Sequence, residues 1–304
     1  MGRQTRSTPA WRLAAGAKQN GVRIFENQEV KDLWRTPEGL YQLQTDHGVI
    51  EAETLVLACG LWTRDLAARL GARVPLYAAE HFYVVTEPMD FIRPKLPVLR
   101  DTDAHVYLKE DAGKLLIGAF EPWGKPVAME RLPNTAFIEL WEDWDHFELP
   151  MTKAIEIVPE LANAGIAKFF NRPESFTPDL LFMIGEVPGL KNLFVSAGYN
   201  SEGIEYGAGA GRALAEWIVA KSPQMDISFV DVARFPPPFR STSAICTIAR
   251  RRCPACTIRC IGRVISRTSR GVRKSALHDR WTRLGASFGE GMGWEGPIWF
   301  AGEG

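Results

Sequence analysis

The 304-residue chain has no excess charge of either sign, no long apolar run, and almost no cysteine outside one short stretch. Each of these absences removes a class of function. Thirty-six Lys and Arg balance thirty-six Asp and Glu, so no overall field draws the chain to nucleic acid or to an anionic membrane. No window approaches the about 18 consecutive apolar residues of a spanning helix, and the opening MGRQTRSTPAWRLAAG has no apolar signal core. The expectation is a soluble, cytoplasmic protein whose partner is a small molecule, with no nucleic acid and no membrane. At 46% hydrophobic residues, the chain is long enough to form two cores.

A nucleotide fingerprint is also missing from the place where it would be expected, a strand near the start. The glycine-rich stretch SAGYNSEGIEYGAGAGRALAEWI, residues 196–218, lies two-thirds of the way along and fails the GxGxxG test. Counted from Gly207 the sixth position is Arg212, and from Gly209 it is Leu214. The formal match Gly291-Met-Gly293-Trp-Glu-Gly296 is read as chance, with no strand expected before it and no helix after it. The segment Ala197–Ile204 follows the apolar LFVS and precedes a helix-like run. Such a turn aims backbone N–H groups at one point and can seat a phosphate or an electron-rich ring edge. Close helix–sheet packing through Gly207, Gly209 and Gly211 would explain the glycines equally well.

Along the rest of the chain, GVRIFENQEV is strand-like, and GLYQLQT and VIEAE flank a hairpin turn at Asp46-His47-Gly48. TLVLACG is an apolar run ending in glycine. LWTRDLAARLG then places Trp62, Leu66 and Leu70 on one helical face, with Gly71 as its stop. EHFYVVTE, AHVYLKE and KLLIGAF predict a sheet, followed by helical WEDWDHFEL and AIEIVPEL. FTPDLLFMIGEVPGLKNLFVSAGYN predicts short strands separated by Pro-Gly turns, and RALAEWIVA a helix. His47, His105 and His146 are taken as surface residues.

Taken together, AGYNSEGI before GAGAGRALAEWI, ETLVLACGLWTRDLA, EHFYVVTEP and FTPDLLFMIGEVPGLKNLFVSAG resemble the FAD-dependent amine oxidoreductases of the dimethylglycine dehydrogenase and sarcosine dehydrogenase family, from about residue 16 to residue 235. The resemblance implies an α+β protein. An α/β FAD-binding domain would occupy 1–72 and 175–222, without the N-terminal GxGxxG unit that such enzymes carry. An inserted antiparallel-sheet substrate domain would span 73–174, and 223–304 would begin the central domain that follows. By the same resemblance the chain is expected to be N-terminally truncated, and a colourless preparation is expected of it.

The resemblance also assigns residues. Val30 matches a backbone contact to adenine. Ala58, Cys59, Gly60 and Trp62 match the strand-end turn beside the cofactor, although Cys59 on its own reads as a small buried residue. Gly198, Tyr199, Asn200, Ser201, Glu202, Gly203 and Ile204 match the loop against the flavin. His81 and Tyr107 match substrate-contacting positions. Without the resemblance, a lone His on an apolar strand is a hydrogen-bonded core residue and Tyr107 a sheet aromatic. The implied reaction is hydride transfer to FAD from an N-methyl or N-methylene carbon of a small amine, helped by a neutral imidazole and a phenol that set orientation and protonation. An electron acceptor protein is an implied partner, and the mitochondrial matrix is the alternative location. Tetrahydrofolate belongs only to the full-length relative.

Four of the five cysteines fall within fifteen residues, in a stretch that includes Cys253-Pro-Ala-Cys256-Thr-Ile-Arg-Cys260. A second CxxC or a His pair is missing, so no metal site is expected. Arg250-Arg251-Arg252 reads as solvated. The resemblance stops near residue 239 and resumes at RGVRKSALHDRWTRLGASFGEGMGWEGPIWFA. A codon path for Ala-Ile-Cys-Thr-Ile-Ala, read one base out of frame, gives His-Leu-His-Asp-Arg, as the family carries there. Residues 240–269 are therefore expected to be a frameshifted stretch, and the scrambled first ten residues to share that origin. Coding DNA without a compensating insertion and deletion would refute this. Two alternatives accompany the enzyme: a non-catalytic regulatory protein resembling the regulatory subunit of pyruvate dehydrogenase phosphatase, and an inactive gene remnant. His81 favours the enzyme over the regulatory protein.

Overall fold

The computed structural model describes residues 7–120, 124–133, 135, 137–235, 271, 274–291 and 294–300. The expected frameshifted stretch and its cysteines lie outside these residues. The described part opens with α1 (Ser7–Gln19), which includes residues from the stretch read as scrambled. The strand-like Gly21–Val30 forms no strand; β1 begins at Asp32 (Asp32–Arg35). Val22 and Phe25 are exposed there, and an extended segment with no neighbour has nothing to complete its ladder. The hairpin forms as expected, with β2 (Tyr41–Thr45) and β3 (Gly48–Ala52) in the register Thr45↔Gly48. β1 joins on the other side of β2, bringing Leu33 opposite Leu43 and burying Tyr41. β4 (Leu55–Leu57) leads through a 3-10 turn at Gly60–Trp62 into α2 (Thr63–Arg69), and Gly71, with φ +77°, ends it as a left-handed stop. Leu66 and Leu70 pack on the core, whereas Trp62 is exposed and leaves the face predicted for it.

A five-stranded antiparallel sheet follows. β5 (Tyr77–Thr86), β6 (Leu99–Asp101), β7 (Val106–Asp111), β8 (Lys114–Ala119) and β9 (Ile166–Phe176) stand in the order β6-β7-β8-β5-β9. The connection into β9 carries α3 (Trp144–Ile157), capped by the Asp143 carboxylate, which accepts from the His146 N–H at 3.1 Å. Side chains alternate between the two faces with period two. Phe82, Val84, Leu108, Ile117 and Phe169 point to one face and pack with Phe147 and Ala154 of α3 into a single core. On the other face the register aligns Arg100, Tyr107, Gly118, Tyr83 and Phe170 in one row across the sheet.

The chain then forms β10 (Met183–Glu186), β11 (Leu193–Ala197) and α4 (Gly203–Ala220). β11 runs antiparallel to β10 and parallel to β4, giving the order β10-β11-β4. One face of this sheet packs Leu57, Met183 and Val195 against Ala67, Val74 and Leu76. The other packs Ile184 and Phe194 against Ala210, Ala213, Leu214 and Trp217 of α4. α4 starts nine residues before the predicted RALAEWIVA, so the glycine run is largely helix. Its buried stripe holds it there against the roughly 0.5–1 kcal/mol that each interior glycine costs relative to alanine. A Cβ at Gly207, Gly209 or Gly211 would meet nothing within 4 Å. Those glycines are therefore not the packing contact the sequence allowed for. That contact is made by Gly185 of β10, where a Cβ would come within 2.6 Å of the Trp217 ring.

Near the end of the chain, α5 (His278–Arg283) precedes β12 (Ala286–Gly291) and β13 (Trp294–Phe300), which pair as a hairpin. The formal GxGxxG match falls at this hairpin's end. A strand does precede it, contrary to expectation, but a second strand follows where a fingerprint needs a helix.

Candidate functional site

β4 and β11 pair in parallel through Leu55↔Leu193, Val56↔Phe194 and Leu57↔Val195. Their carboxyl ends therefore open at the same edge, and the turn at Ala58–Trp62 lies beside the loop at Gly198–Ile204. Ala58, Gly60 and Trp62 are exposed, and Cys59 is half-buried with its N–H donating to Thr63 Oγ1 at 3.1 Å. Burial pushes the Cys59 thiol up, which keeps it protonated and poorly nucleophilic.

The second loop is held tightly at its base and open at its tip. Gly198 has φ +71°, and a Cβ there would overlap the Thr177 methyl and reach Leu76 at 3.0 Å. Asn200, 2% exposed, accepts from the Thr177 N–H at 2.9 Å and donates to the Gly198 carbonyl at 2.6 Å. These bonds fix Asn200 and Ser201 at φ 50° and 70°, a left-handed pair that non-glycine residues adopt only when their surroundings dictate it. Tyr199 stacks on Phe182 with centroids 5.1 Å apart, and its hydroxyl meets Ser196 Oγ at 2.8 Å. Burial raises the Tyr199 phenol. The Ser201 hydroxyl donates to the Glu174 carboxylate on β9, tying the loop to the five-stranded sheet. Gly203 is exposed, and Ile204 is 66% exposed.

On the sheet, His81 is 8% exposed, and its Nδ1 is buried without a hydrogen-bond partner. Its ring stacks on Phe120 at 5.6 Å, and Tyr107 meets the same Phe120 ring at 5.3 Å. The guanidinium of Arg100 lies 4.7 Å from that ring's centroid. Gly118 makes room for this group, because a Cβ there would overlap the Tyr107 ring. Phe120 opens onto a cleft of about 350 Å³ lined also by Arg100, Ser201, Glu202, Ile204 and Glu205. Burial raises the Glu202 carboxyl; Glu205 adds to the shift and Arg100 opposes it.

The structure thus gathers the expected Ser201, Glu202 and Ile204 into one cleft with Phe120, and His81 and Tyr107 reach it through that ring. Val30 is not part of this group; it is half-buried against the core around Leu33 and Tyr41. Arg100, Phe120, Gly118 and Glu205 were not singled out from the sequence, because they come together only through the strand register and the start of α4. His47 is exposed as expected and meets Gln28 at 2.6 Å. His105 and His146 are half-buried instead of superficial: His105 gives its carbonyl to the Phe120 N–H, and His146 packs edge-on against Phe82. Among the described residues no helix is long and apolar enough to cross a membrane, and no group of three His, Cys, Asp or Glu could hold a metal ion.

Open turns at the carboxyl ends of neighbouring parallel strands, backed by a helix, define the class of α/β proteins that seat a nucleotide cofactor at that edge. Residues 9–217 match the family described as FAD dependent oxidoreductase, and the chain belongs to that family. It is 43% identical over 300 residues to 4-methylaminobutanoate oxidase (formaldehyde-forming) of Paenarthrobacter nicotinovorans, covering 96% of this chain and 35% of that protein. It is 34% identical to the mitochondrial pyruvate dehydrogenase phosphatase regulatory subunit of Mus musculus, covering 95% and 33%. It is 33% identical to the mitochondrial sarcosine dehydrogenase of Homo sapiens, covering 95% and 32%. The chain therefore spans about a third of the length of these relatives. Its fold is similar to the crystal structure of L-proline dehydrogenase from P.horikoshii, with a TM-score of 0.63 at 21% identity over 75% of this chain and 59% of that one.

Proposed function

We propose that the chain forms the substrate side of an FAD-dependent oxidoreductase that breaks the C–N bond of an N-methylated amino acid, such as dimethylglycine, sarcosine or 4-methylaminobutanoate. One observation carries this reading: His81 and Tyr107 both pack on Phe120, which faces the loop Gly198–Ile204 across the cleft. The residues present suit the cofactor. The two strand-end turns expose backbone beside apolar Trp62 and Ile204, and Gly198 occupies a position that no side chain could share. Ala58–Trp62 and Gly198–Ile204 would hold FAD. When bound, it supplies the acceptor for a hydride from the carbon next to nitrogen.

The chain's own residues do the rest. The buried, unpartnered Nδ1 of His81 is a costly arrangement that a substrate hydrogen bond would satisfy. Tyr107, lodged over Gly118, holds Phe120 from beside His81 and fixes the direction from which an amine can approach. In this reading the five-stranded sheet is a substrate unit inserted into a cofactor unit built on β4, β11 and α4. The sequence similarity to sarcosine and dimethylglycine dehydrogenases supports this reading.

The test is anaerobic mixing of the FAD-loaded protein with each amine. Bleaching of the flavin with release of formaldehyde is expected for the N-methylated amino acids and not for their unmethylated parents. The similarity to the phosphatase regulatory subunit favours a second, non-catalytic reading. Absence of bleaching by every amine would select it and reject the first.

A further inference from the structure

We propose that Arg234 is a positioning residue for the loop Gly198–Ile204, which it holds in shape from outside the cleft through the turn Thr177–Leu181. This deepens the reading above and rests on it for what the loop holds. Arg234 closes the 3-10 turn Val232–Arg234 that follows α4. Its Nε and Nη2 donate to the two carboxylate oxygens of Asp179 at 2.8 and 3.0 Å, and the two side chains are 6% and 9% exposed. Nη1 donates to the Asp231 carbonyl at 3.0 Å, and the guanidinium lies 4.2 Å over the Phe235 ring. Val232 and Phe235 pack in the core that also holds Leu57 and Val195, so the guanidinium is anchored on the cofactor unit. A buried ion pair contributes little net stability once its desolvation is counted. What a two-bond fork of this kind supplies is fixed geometry.

The geometry it fixes can be followed bond by bond. Arg234 Nη2 also donates to the Leu181 carbonyl at 2.7 Å, and that same oxygen accepts from the Thr177 hydroxyl at 2.8 Å. The Thr177 N–H donates to Asn200 Oδ1 at 2.9 Å, and Asn200 Nδ2 donates to the Gly198 carbonyl at 2.6 Å. Leu180 has φ 62°, a left-handed geometry that leucine adopts only under constraint. Asp179 supplies part of that constraint, its Oδ1 accepting from the Leu181 N–H at 3.2 Å. Asn200 and Ser201 repeat the left-handed geometry at the other end of the run. Two strained turns are thus joined by continuous hydrogen bonds, with Arg234 at the charged end. Loosening it reaches the backbone that would hold FAD without touching that backbone.

Amide hydrogen exchange of the full chain, read at Thr177 and Glu202, tests this without any substrate. Arg234→Lys keeps a cation beside Asp179 but removes the fork, and with it the bond to Leu181. Exchange at both amides should quicken roughly 10- to 100-fold, the range for a hydrogen bond to a charged group, while the Phe147 amide on α3 stays unchanged. Thr177→Val cuts the run at the hydroxyl with the ion pair left in place, and should quicken the Glu202 amide as well. In the double variant the two effects should not add, and Thr177→Ser should restore slow exchange. Titration with FAD, followed by flavin fluorescence, should show affinity about 10-fold weaker in Arg234→Lys and Thr177→Val, and unchanged in Thr177→Ser. No quickening, equal quickening at Phe147, additive effects, or quicker exchange at unchanged FAD affinity would overturn the proposal. The parent reading is separable. A wild type that binds FAD but is bleached by no amine would refute the oxidase and spare Arg234, and bleaching with a loop indifferent to Arg234 would do the reverse. A wild type that takes up no FAD would overturn both.

Discussion

His81 and Phe82 are adjacent in the chain and belong to opposite sides of one sheet. Phe82 is fully buried, set edge-on to Phe147 at 5.5 Å and tilted against Phe169 at 6.1 Å; its cross-strand neighbour Asn171 donates to Glu80 and to the Trp141 carbonyl and leaves its Oδ1 unpaired. His81 is almost as buried, but it keeps one ring nitrogen unpaired and shares its neighbour Phe120 with a tyrosine and an arginine. The α3 face spends most of its side chains on apolar contact and is covered. The other face keeps polar atoms unsatisfied, cations stacked on rings and a glycine where a side chain would fit the strand better, and a cleft lies against it. Burial alone does not separate the two faces, and neither does an unpaired polar atom, since Asn171 Oδ1 is one on the α3 side; the cleft that lies against the other face does.

The largest break in this contrast should come from truncating its covered side. Phe82→Ala should cost about 3–5 kcal/mol of stability, as large aromatic deletions in cores do, read from the midpoint of denaturant unfolding. His81→Ala, one residue away, also removes a buried ring stacked on Phe120 and should lower that midpoint, but by less, because one nitrogen of that ring has no partner to lose. Its effect should appear in turnover, as a loss of about 10²–10⁴ in kcat for a group that handles a proton or orients the amine. If the two substitutions had interchangeable effects, the distinction between faces would be wrong.

How much of this was legible in the sequence follows the same division. The β-branched, aromatic and aliphatic runs in EHFYVVTE and KLLIGAF announce strands, because that composition depends only on each strand itself. The gathering of Arg100, Tyr107 and Gly118 in one row depends on the register of β6 with β7 and of β7 with β8, which no single strand encodes. Arg100, on a three-residue strand that the sequence did not announce, and Phe120, just past the end of β8, were therefore invisible although the neighbouring strands were not. The glycine run misled for a different reason. Glycine lowers helix propensity, so GAGAG reads as loop, but the stripe Ala210, Ala213, Leu214 and Trp217 on the sheet overrides it. Conversely, Gly21–Val30 has the composition of a strand and finds no strand to pair with among the described residues. His81 and the Gly198–Ile204 loop were found through whole motifs, not through any physical property of one residue.

Two glycine positions sharpen the comparison at a smaller scale. Gly118→Ala should cost about 1–3 kcal/mol through overpacking against Tyr107. In a double-mutant cycle with Tyr107→Ala most of that cost should vanish. A cost that persists without the Tyr107 ring would mean the glycine serves the backbone instead. Gly207→Ala and Gly209→Ala on α4 should do the opposite and stabilise by about 0.5–1 kcal/mol each, because nothing lies within 4 Å of either position. Thermal unfolding decides it: a loss of stability would reveal a partner pressed against this helix face.

The smallest expected effect concerns Glu202, which lines the cleft together with Arg100. Burial raises the Glu202 carboxyl above its ordinary 4.5, with Glu205 reinforcing the shift and Arg100 opposing it. A raised carboxyl means that the folded chain holds its proton to higher pH than the unfolded chain does. The stability this contributes is complete below the unfolded value and is lost as pH rises through the folded one. Glu202→Gln should therefore flatten the fall in stability just above the ordinary carboxylate range while leaving stability at lower pH nearly unchanged. Arg100→Gln removes the opposing cation and should steepen the same fall. Melting curves taken across that range for the wild type and both variants should diverge in opposite directions. Parallel curves would show that Arg100 and Glu202 do not sense each other across the cleft.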